Sequence, residues 1–397
     1  MKKSKRKLAY YRGCNDARRE GHMNKKDIAE IKKKISTEGL VITRIRGCLI
    51  DNVDNDKNVK TLQKIDFVNL SDTDAVKYED IFAKTLSGTI GKNLINLEFP
   101  LDEEKAGGKQ EFLDSLVKSE LRDDGLVDEF FDRVKANYAF DMSYYVILMH
   151  GVYDVPGKAD DGEEMFDASD TVFNFVLCSI CPMELTKSAL TFDSMNDLVT
   201  SRLCDLIVSK PAHGFMYPAF EDRGPNVHSA LYFSKNAEKL QPALINAIIG
   251  SESPLSAKGQ KEAFDTLVKE TLGDDCDYDH VISVNETLTH VVAQSKKEEG
   301  PMLLGKEDVK AILSRSGLAP EHFTNFDENA ENVMQGNGVV SSANIANTKK
   351  MKIETPSVAI TVAPDRAAII EKKQIDGKNY LLIPIDGQIT INGIEVD

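Results

Sequence analysis

Several short stretches of the 397-residue chain carry chemically useful side chains at close spacing. Pro364-Asp365 followed by Glu371-Lys372-Lys373 has the residue types of a metal-dependent nuclease. In that chemistry an Asp and a Glu on neighbouring strands hold the ion, and the Lys positions the water. Only five residues separate Asp365 from Glu371, which leaves little room for the intervening turn. Cys178-Ser-Ile-Cys181 has the spacing of a zinc knuckle or a redox pair. No second CxxC, CxxH or HxxxH completes a zinc site, and the pair ends an apolar run instead of opening a helix. Both thiols therefore read as buried and structural. Asp274-Asp-Cys-Asp-Tyr-Asp-His280 is rich in ligand types but precedes a helix, whose first turn acidic residues cap. The acidic run 160–170 lacks the order and central glycine of a calcium loop. Gly88-Thr-Ile-Gly91-Lys92 has two residues between its glycines where a phosphate loop needs four, and it follows a helix.

Two groups remain as candidate binding residues. Arg44 and Arg46 alternate on one face of a strand, and Glu221, Asp222 and Arg223 form a charged turn. Each fits either salt-bridged structure or a binding surface. The histidines form no catalytic pattern, and His150, on an apolar strand, reads as a core residue. No catalytic residue, metal ligand or cofactor follows from any of these motifs.

The elements that position these residues indicate an α+β fold: a central antiparallel sheet with helices to one side, a helical segment and a small C-terminal β module. Helical spacing marks 26–36, 72–86, 110–121 and 125–137. Strands are expected at 40–51, 142–153, 172–180, 214–220 and 227–233, with 61–69 as a hairpin return for the first. Residues 237–334 read as helical, with helices at 257–272, 279–294 and 307–316. Gln335–Asn347 is the linker candidate within a 335–350 boundary, and 351–397 form the β module. Asp376-Gly377, Asp386-Gly387 and Asn392-Gly393 are its hairpin turns. The main α+β domain spans 23–236.

Composition is that of a globular protein: 41% apolar, 28% charged, with 13 prolines. No run reaches the length of a spanning helix. Six scattered cysteines suit reduced thiols in a cytoplasm rather than a disulfide framework. Net charge is −15, yet residues 1–34 hold 13 Lys/Arg against 4 Asp/Glu. The acidic body repels phosphate, so any nucleic-acid contact is local or made through a protein partner. Residues 1–22 read as a basic disordered tail, or as sequence ahead of a true start at Met23. Arg18-Arg19-Glu20-Gly21 is what a purine-rich ribosome-binding sequence encodes in frame. A native intact mass that includes residues 1–22 contradicts the start at Met23.

From Met23 onward the chain resembles a family from Gram-positive bacteria labelled only as a domain of unknown function. The resemblance is carried by Met23-Asn-Lys-Lys-Asp27, Thr43-Arg-Ile-Arg-Gly-Cys48, the stretch from Lys84 to Leu94, Tyr153-Asp-Val-Pro156, Cys178-Ser-Ile-Cys-Pro182 and Pro218-Ala-Phe-Glu-Asp-Arg223. The C-terminal half is similar in layout to bacterial nucleoid-associated proteins. There, Leu231-Tyr-Phe233 precedes a helix at 240–249, then Ala257-Lys-Gly-Gln-Lys-Glu262 and a final Gln388-Ile-Thr-Ile-Asn-Gly393 segment. The expectation is a cytoplasmic, non-enzymatic interaction protein of nucleoid-associated kind with a protein partner and no membrane contact. The alternative is a metal-dependent hydrolase or nuclease.

Overall fold

A computed structural model describes residues 22–36, 39–53, 56–158, 164–165, 171–193, 195–202, 205–295, 302–334, 338–346, 350–363, 366, 369–385, 387–391 and 394–396. They divide into two compact units at Ser253/Pro254.

In the first unit, α1 (Lys25–Ile35) leads into the hairpin of β1 (Leu40–Val53) and β2 (Asp56–Ile65). Then come α2 (Asp72–Thr85), β3 (Leu94–Glu98), α3 (Lys109–Lys118) and α4 (Asp124–Asn137). β4 (Tyr144–Val155) follows, then the two-residue pair β5 (Gly157–Lys158) and β6 (Glu164–Met165), and β7 (Thr171–Leu185). β8 (Ala189–Asp193) and β9 (Leu198–Arg202) form a hairpin, followed by β10 (Leu206–Val208) and β11 (His213–Tyr217). β12 (Ala219–Glu221), β13 (Gly224–Asn226), β14 (Ser229–Ser234) and α5 (Pro242–Ile249) complete the unit.

The main sheet runs β2-β1-β4-β7-β11-β14-β3, with β10 paired to the end of β7, and its pairings are antiparallel. β4 and β7 form its spine, in register from Tyr144 opposite Pro182 to Val155 opposite Thr171. Tyr144, Val146 and Leu148 point into one core with α3, α4 and α5, while Tyr145, Ile147 and Met149 point into a second core with α1 and α2. Helices therefore cover both faces, which corrects the one-sided arrangement expected from sequence. The cause is legible in Tyr144–His150, which is apolar or aromatic at six successive positions and buried throughout. A strand without alternation needs a layer on each side.

Two further differences concern strands. The return strand β2 spans Asp56–Ile65, with Phe67–Asn69 as a single 3-10 turn, so it begins earlier than the 61–69 expected. β3 was not expected at all; it is a short edge strand held to β14 from Phe233 opposite Leu94 to Ser229 opposite Glu98.

The second unit packs α6 (Ala257–Leu272), α7 (Tyr278–Ser295), α8 (Lys306–Arg315) and α9 (Phe326–Val333) around Phe264, Leu267, Leu288, Val309, Leu313 and Phe326. Ser256 caps α6 and Gly273 follows its end, as their sequence positions indicate. The expected linker behaves differently. β15 (Leu303–Leu304) pairs with β16 (Val340–Ser341), and the short α10 (Ser342–Ile345) follows. Val340 and Ile345 are buried in the unit's core, and Gln260 Oε1 accepts hydrogen bonds from Ser341 N at 2.8 Å and Asn344 Nδ2 at 2.9 Å. Residues 338–346 are therefore packed structure, because two apolar side chains outweigh the polar composition around them. The C-terminal segment forms three two-stranded pairs: β17 (Met351–Glu354) with β18 (Ala359–Val362), β19 (Glu371–Ile375) with β20 (Lys378–Leu382), and β21 (Ile389–Ile391) with β22 (Ile394–Val396). Asp376 and Gly377, at φ 51° and 75°, make the turn between β19 and β20. Asp386 and Asn392-Gly393 lie outside the described residues.

Phe130 of α4, fully buried against the sheet, anchors the first core. Phe130→Ala is expected to lower the unfolding free energy of the first unit by about 3–5 kcal/mol in urea titrations. Leu101→Ala, at a position 81% exposed and outside the arm and groove, is expected to change it by less than about 0.5 kcal/mol.

Candidate functional site

α2 is docked on the sheet by one polar contact and one close approach. Thr85 Oγ1 lies 2.7 Å from Ser179 Oγ in the buried interface. Its methyl sits over Gly214, where a Cβ would come within 2.6 Å of Thr85 Cγ2. Between α2 and β10 a groove of about 780 Å³ opens. Tyr145 and Ile147 of β4, Tyr78 and Ile81 of α2, and Ile207 and Val208 of β10 line it. The Tyr145 ring crosses β1 at Gly47, where any Cβ would stand 1.8 Å from the phenol oxygen. The Tyr145 hydroxyl donates to Gln63 Oε1 of β2 at 2.5 Å. Burial pushes the phenol groups of Tyr78 and Tyr145 above their ordinary range, so both remain neutral hydrogen-bonding groups. At the rim, Lys77 pairs with Asp74 at 2.9 Å, while Lys84 and Lys210 make no ion pair among the described residues.

The β8–β9 hairpin lies in the chain just before the groove strand β10. Phe192 stands opposite Val199 and Leu190 opposite Ser201, so Leu190, Phe192 and Val199 share one face. Thr191 and Thr200 are opposite each other on the other face. The apolar face is solvent-exposed, with Phe192 59% and Val199 62% accessible, and Met195 in the turn is 93% accessible. Leu185 before the hairpin and Leu206, Ile207 and Val208 after it are also exposed. Among the described residues, β8 and β9 pair with no other strand. Sequence reasoning passed over this arm. Its signal was two short β-branched and aromatic runs either side of Asp193-Ser-Met-Asn-Asp197, a turn-rich stretch.

The residues singled out from sequence lie elsewhere and hold the fold together. Arg44 donates from Nη1 to the Glu120 carbonyl at 3.1 Å, and from Nε to Asp66 Oδ1 at 3.4 Å. Arg46, almost fully buried, donates from Nη1 to the Leu121 carbonyl at 3.1 Å and from Nη2 to Asp124 Oδ1 at 2.6 Å. Lys64 also bonds Asp124, and Lys64 and Arg46 together hold its carboxyl down to about 2. Glu120 and Leu121 have φ of 51° and 56°, so the two guanidinium groups satisfy the carbonyls of a left-handed corner between α3 and α4. Arg223 is on the α1 side of the sheet. It donates from Nη1 to Glu30 Oε1 at 2.7 Å and from Nη2 to the Pro156 carbonyl at 2.6 Å. Glu30 Oε1 also accepts from the Tyr153 hydroxyl at 2.8 Å, and Glu221 Oε2 accepts from Asn226 Nδ2 at 2.7 Å. Asp222 and Arg223, at φ 44° and 64°, form the β12–β13 turn. The two charged groups are thus on opposite faces and form no common site.

The other motifs are similarly engaged. Cys178 and Cys181 are buried in different cores on opposite faces of β7. Burial pushes the Cys181 thiol up to about 12 and Cys178 well up too, so neither supplies a thiolate. His280 Nδ1 lies 2.9 Å from Asp277 Oδ1, and His322 Nε2 lies 3.0 Å from Asp275 Oδ2. Glu371 pairs with Lys373 at 2.6 Å on β19, and Asp365 lies outside the described residues, as does most of the acidic run 160–170. In the glycine-rich turn after α2, Gly91 N donates to the Leu94 carbonyl at 2.8 Å and Asn93 Nδ2 to the Ser234 carbonyl at 3.0 Å. Among the described residues no three His, Cys, Asp or Glu side chains are grouped to hold a metal ion, and no helix is long and apolar enough to cross a membrane.

Residues 23–394 match the family model described as Domain of unknown function (DUF4317). The chain belongs to that family. No curated protein and no solved structure matches it. The DUF4317 match takes in the groove, the arm and the described residues of the second unit as far as Ile394.

Two buried groups give this DUF4317 chain opposing pH responses. Burial drives His150 down to about 4, and its Nδ1 lies 2.7 Å from Thr43 Oγ1. The unfolded chain takes up this proton first, so His150 costs stability as pH falls from about 6.5 towards 4. Asp27 of α1 is pushed up to about 6, mainly by burial, with Asp222, Glu221 and Glu30 adding to it. The folded chain holds that proton more tightly, so Asp27 costs stability as pH rises from about 4 to 6. Asp27→Asn removes the second response and is expected to steepen the loss of stability between pH 6.5 and 4.5. Urea midpoints at the two pH values check this; an unchanged difference contradicts it.

Proposed function

We propose that the chain is a non-enzymatic interaction protein that docks a protein partner through the apolar arm at 185–208. The observation that carries this reading is the concentration of exposed large apolar side chains in one stretch. Leu185, Leu190, Phe192, Met195, Leu198 and Val199 are each at least 48% accessible. Contiguous exposed apolar surface of this kind marks interaction sites on folded proteins. The charged side chains that could have formed a polar site are instead bonded within the fold, as at Arg46 and Arg223.

A cytoplasmic setting agrees with the free thiols of Cys48, Cys178, Cys181 and Cys276. Nucleoid association, the finer form of this reading, runs through the protein partner, since the net charge of −15 opposes direct phosphate contact. The hydrolase reading depends on Asp365 and Glu371, and on carboxylates near 274–280 that are bonded to histidines. Nuclease activity with Mg²⁺ or Mn²⁺ in the purified chain would support the hydrolase and overturn the docking role.

Site-specific photo-crosslinking in native cells tests the docking surface. A crosslinker replacing Phe192 is expected to give discrete protein adducts, and one replacing Leu101, 81% exposed beyond the edge strand β3, to give none. Equal labelling at both positions contradicts the proposal.

A further inference from the structure

Resting on that docking role, the geometry points to a second copy of this chain as the arm's partner, with each arm lying in the other's groove. An isolated two-stranded hairpin is marginally stable in water at best. The β8–β9 hairpin pairs with no third strand among the described residues, and its apolar face is open. Its order therefore calls for a surface that covers Leu190, Phe192 and Val199.

The same molecule carries a receptor of matching chemistry. The groove beside β10 is apolar along its floor, with Tyr145 and Ile147 below and Ile81 on the wall. Arm and groove meet at β10, whose Ile207 is exposed yet lines the groove. A surface holding both knob and hole next to each other is self-complementary under a two-fold axis, the commonest symmetry of soluble oligomers. At the groove Lys84 and Lys210 make no ion pair among the described residues, against one lining carboxylate, Asp80, that makes none either, which leaves a net positive charge to meet Asp197, exposed in the arm's turn.

The area is sufficient. Leu190, Phe192 and Val199 on the shared face, with Met195 of the turn and Leu185 ahead of the hairpin, average about 72% accessible. At ~150 Å² for a large side chain, the low end of the aromatic range, they present roughly 500 Å², to which the groove's own lining adds. A standard interface buries about 800 Å² on each partner, so the arm with its groove reaches the size of a stable symmetric contact.

Analytical ultracentrifugation of the full chain tests the inference at about 50 µM, where any dimer of micromolar Kd is populated. The wild type is expected to be a dimer. Phe192→Asp with Val199→Asp is expected to give a folded monomer that still unfolds cooperatively on heating, and Leu101→Asp, 81% exposed beyond the edge strand β3, is expected to remain a dimer. Lys84→Glu with Lys210→Glu, which leaves the arm intact, is expected to raise the dimer Kd at least tenfold; it decides the matter if the arm variant fails to fold. A monomeric wild type overturns the inference, as does a dimer that both double variants leave unchanged. If the wild type is monomeric while a crosslinker at position 192 still gives adducts with a different protein, the second copy is excluded and the docking role stands. If the adducts are absent as well, both fail.

Discussion

Burial of both faces of the β4–β7 pair is the constraint on which the first unit depends. Tyr144–His150 and Phe175–Cys181 are buried at every position, so no face of the sheet's centre can meet water. Each face then requires its own helical cover: α3, α4 and α5 on one side and α1 and α2 on the other. The charged residues follow from this arrangement. Arg44 and Arg46 satisfy the left-handed corner that lets α3 and α4 fold back over β1. Arg223 ties the β12–β13 turn to Glu30 of α1. These are connections between layers, and they explain why charged residues on strands and turns need not mark a binding site.

Much of this was legible from sequence, for physical reasons. The helices 72–85, 124–137 and 257–272 show apolar spacing with a capping Ser or Asp ahead of them, and both signals are local. The thiols of Cys178 and Cys181 were readable as structural because strand alternation separates residues three apart onto different faces. The two-sided sheet was also present in the unbroken Tyr-Tyr-Val-Ile-Leu-Met run, although it was read as an ordinary strand.

What was not legible depends on distant partners. β3 is a strand because β14 pairs with it across more than a hundred residues, and nothing in Leu-Ile-Asn-Leu-Glu requires that. Residues 338–346 look like a linker until Gln260 satisfies their backbone. The arm was missed for the opposite reason. Its residues satisfy a strand pattern, but the pattern cannot say that no further strand covers Phe192 and Val199. The groove likewise exists only because Gly47 allows Tyr145 to cross β1, a contact between segments about a hundred residues apart.

The central claim is that the apolar hairpin of residues 189–202 is covered by another protein surface, supplied by a second copy. Amide hydrogen exchange of that hairpin at high and low protein concentration tests it most directly. The account predicts slow exchange at high concentration that becomes fast on dilution, while the β4–β7 amides stay protected throughout. Hairpin amides that exchange at the unstructured rate at every concentration would contradict it.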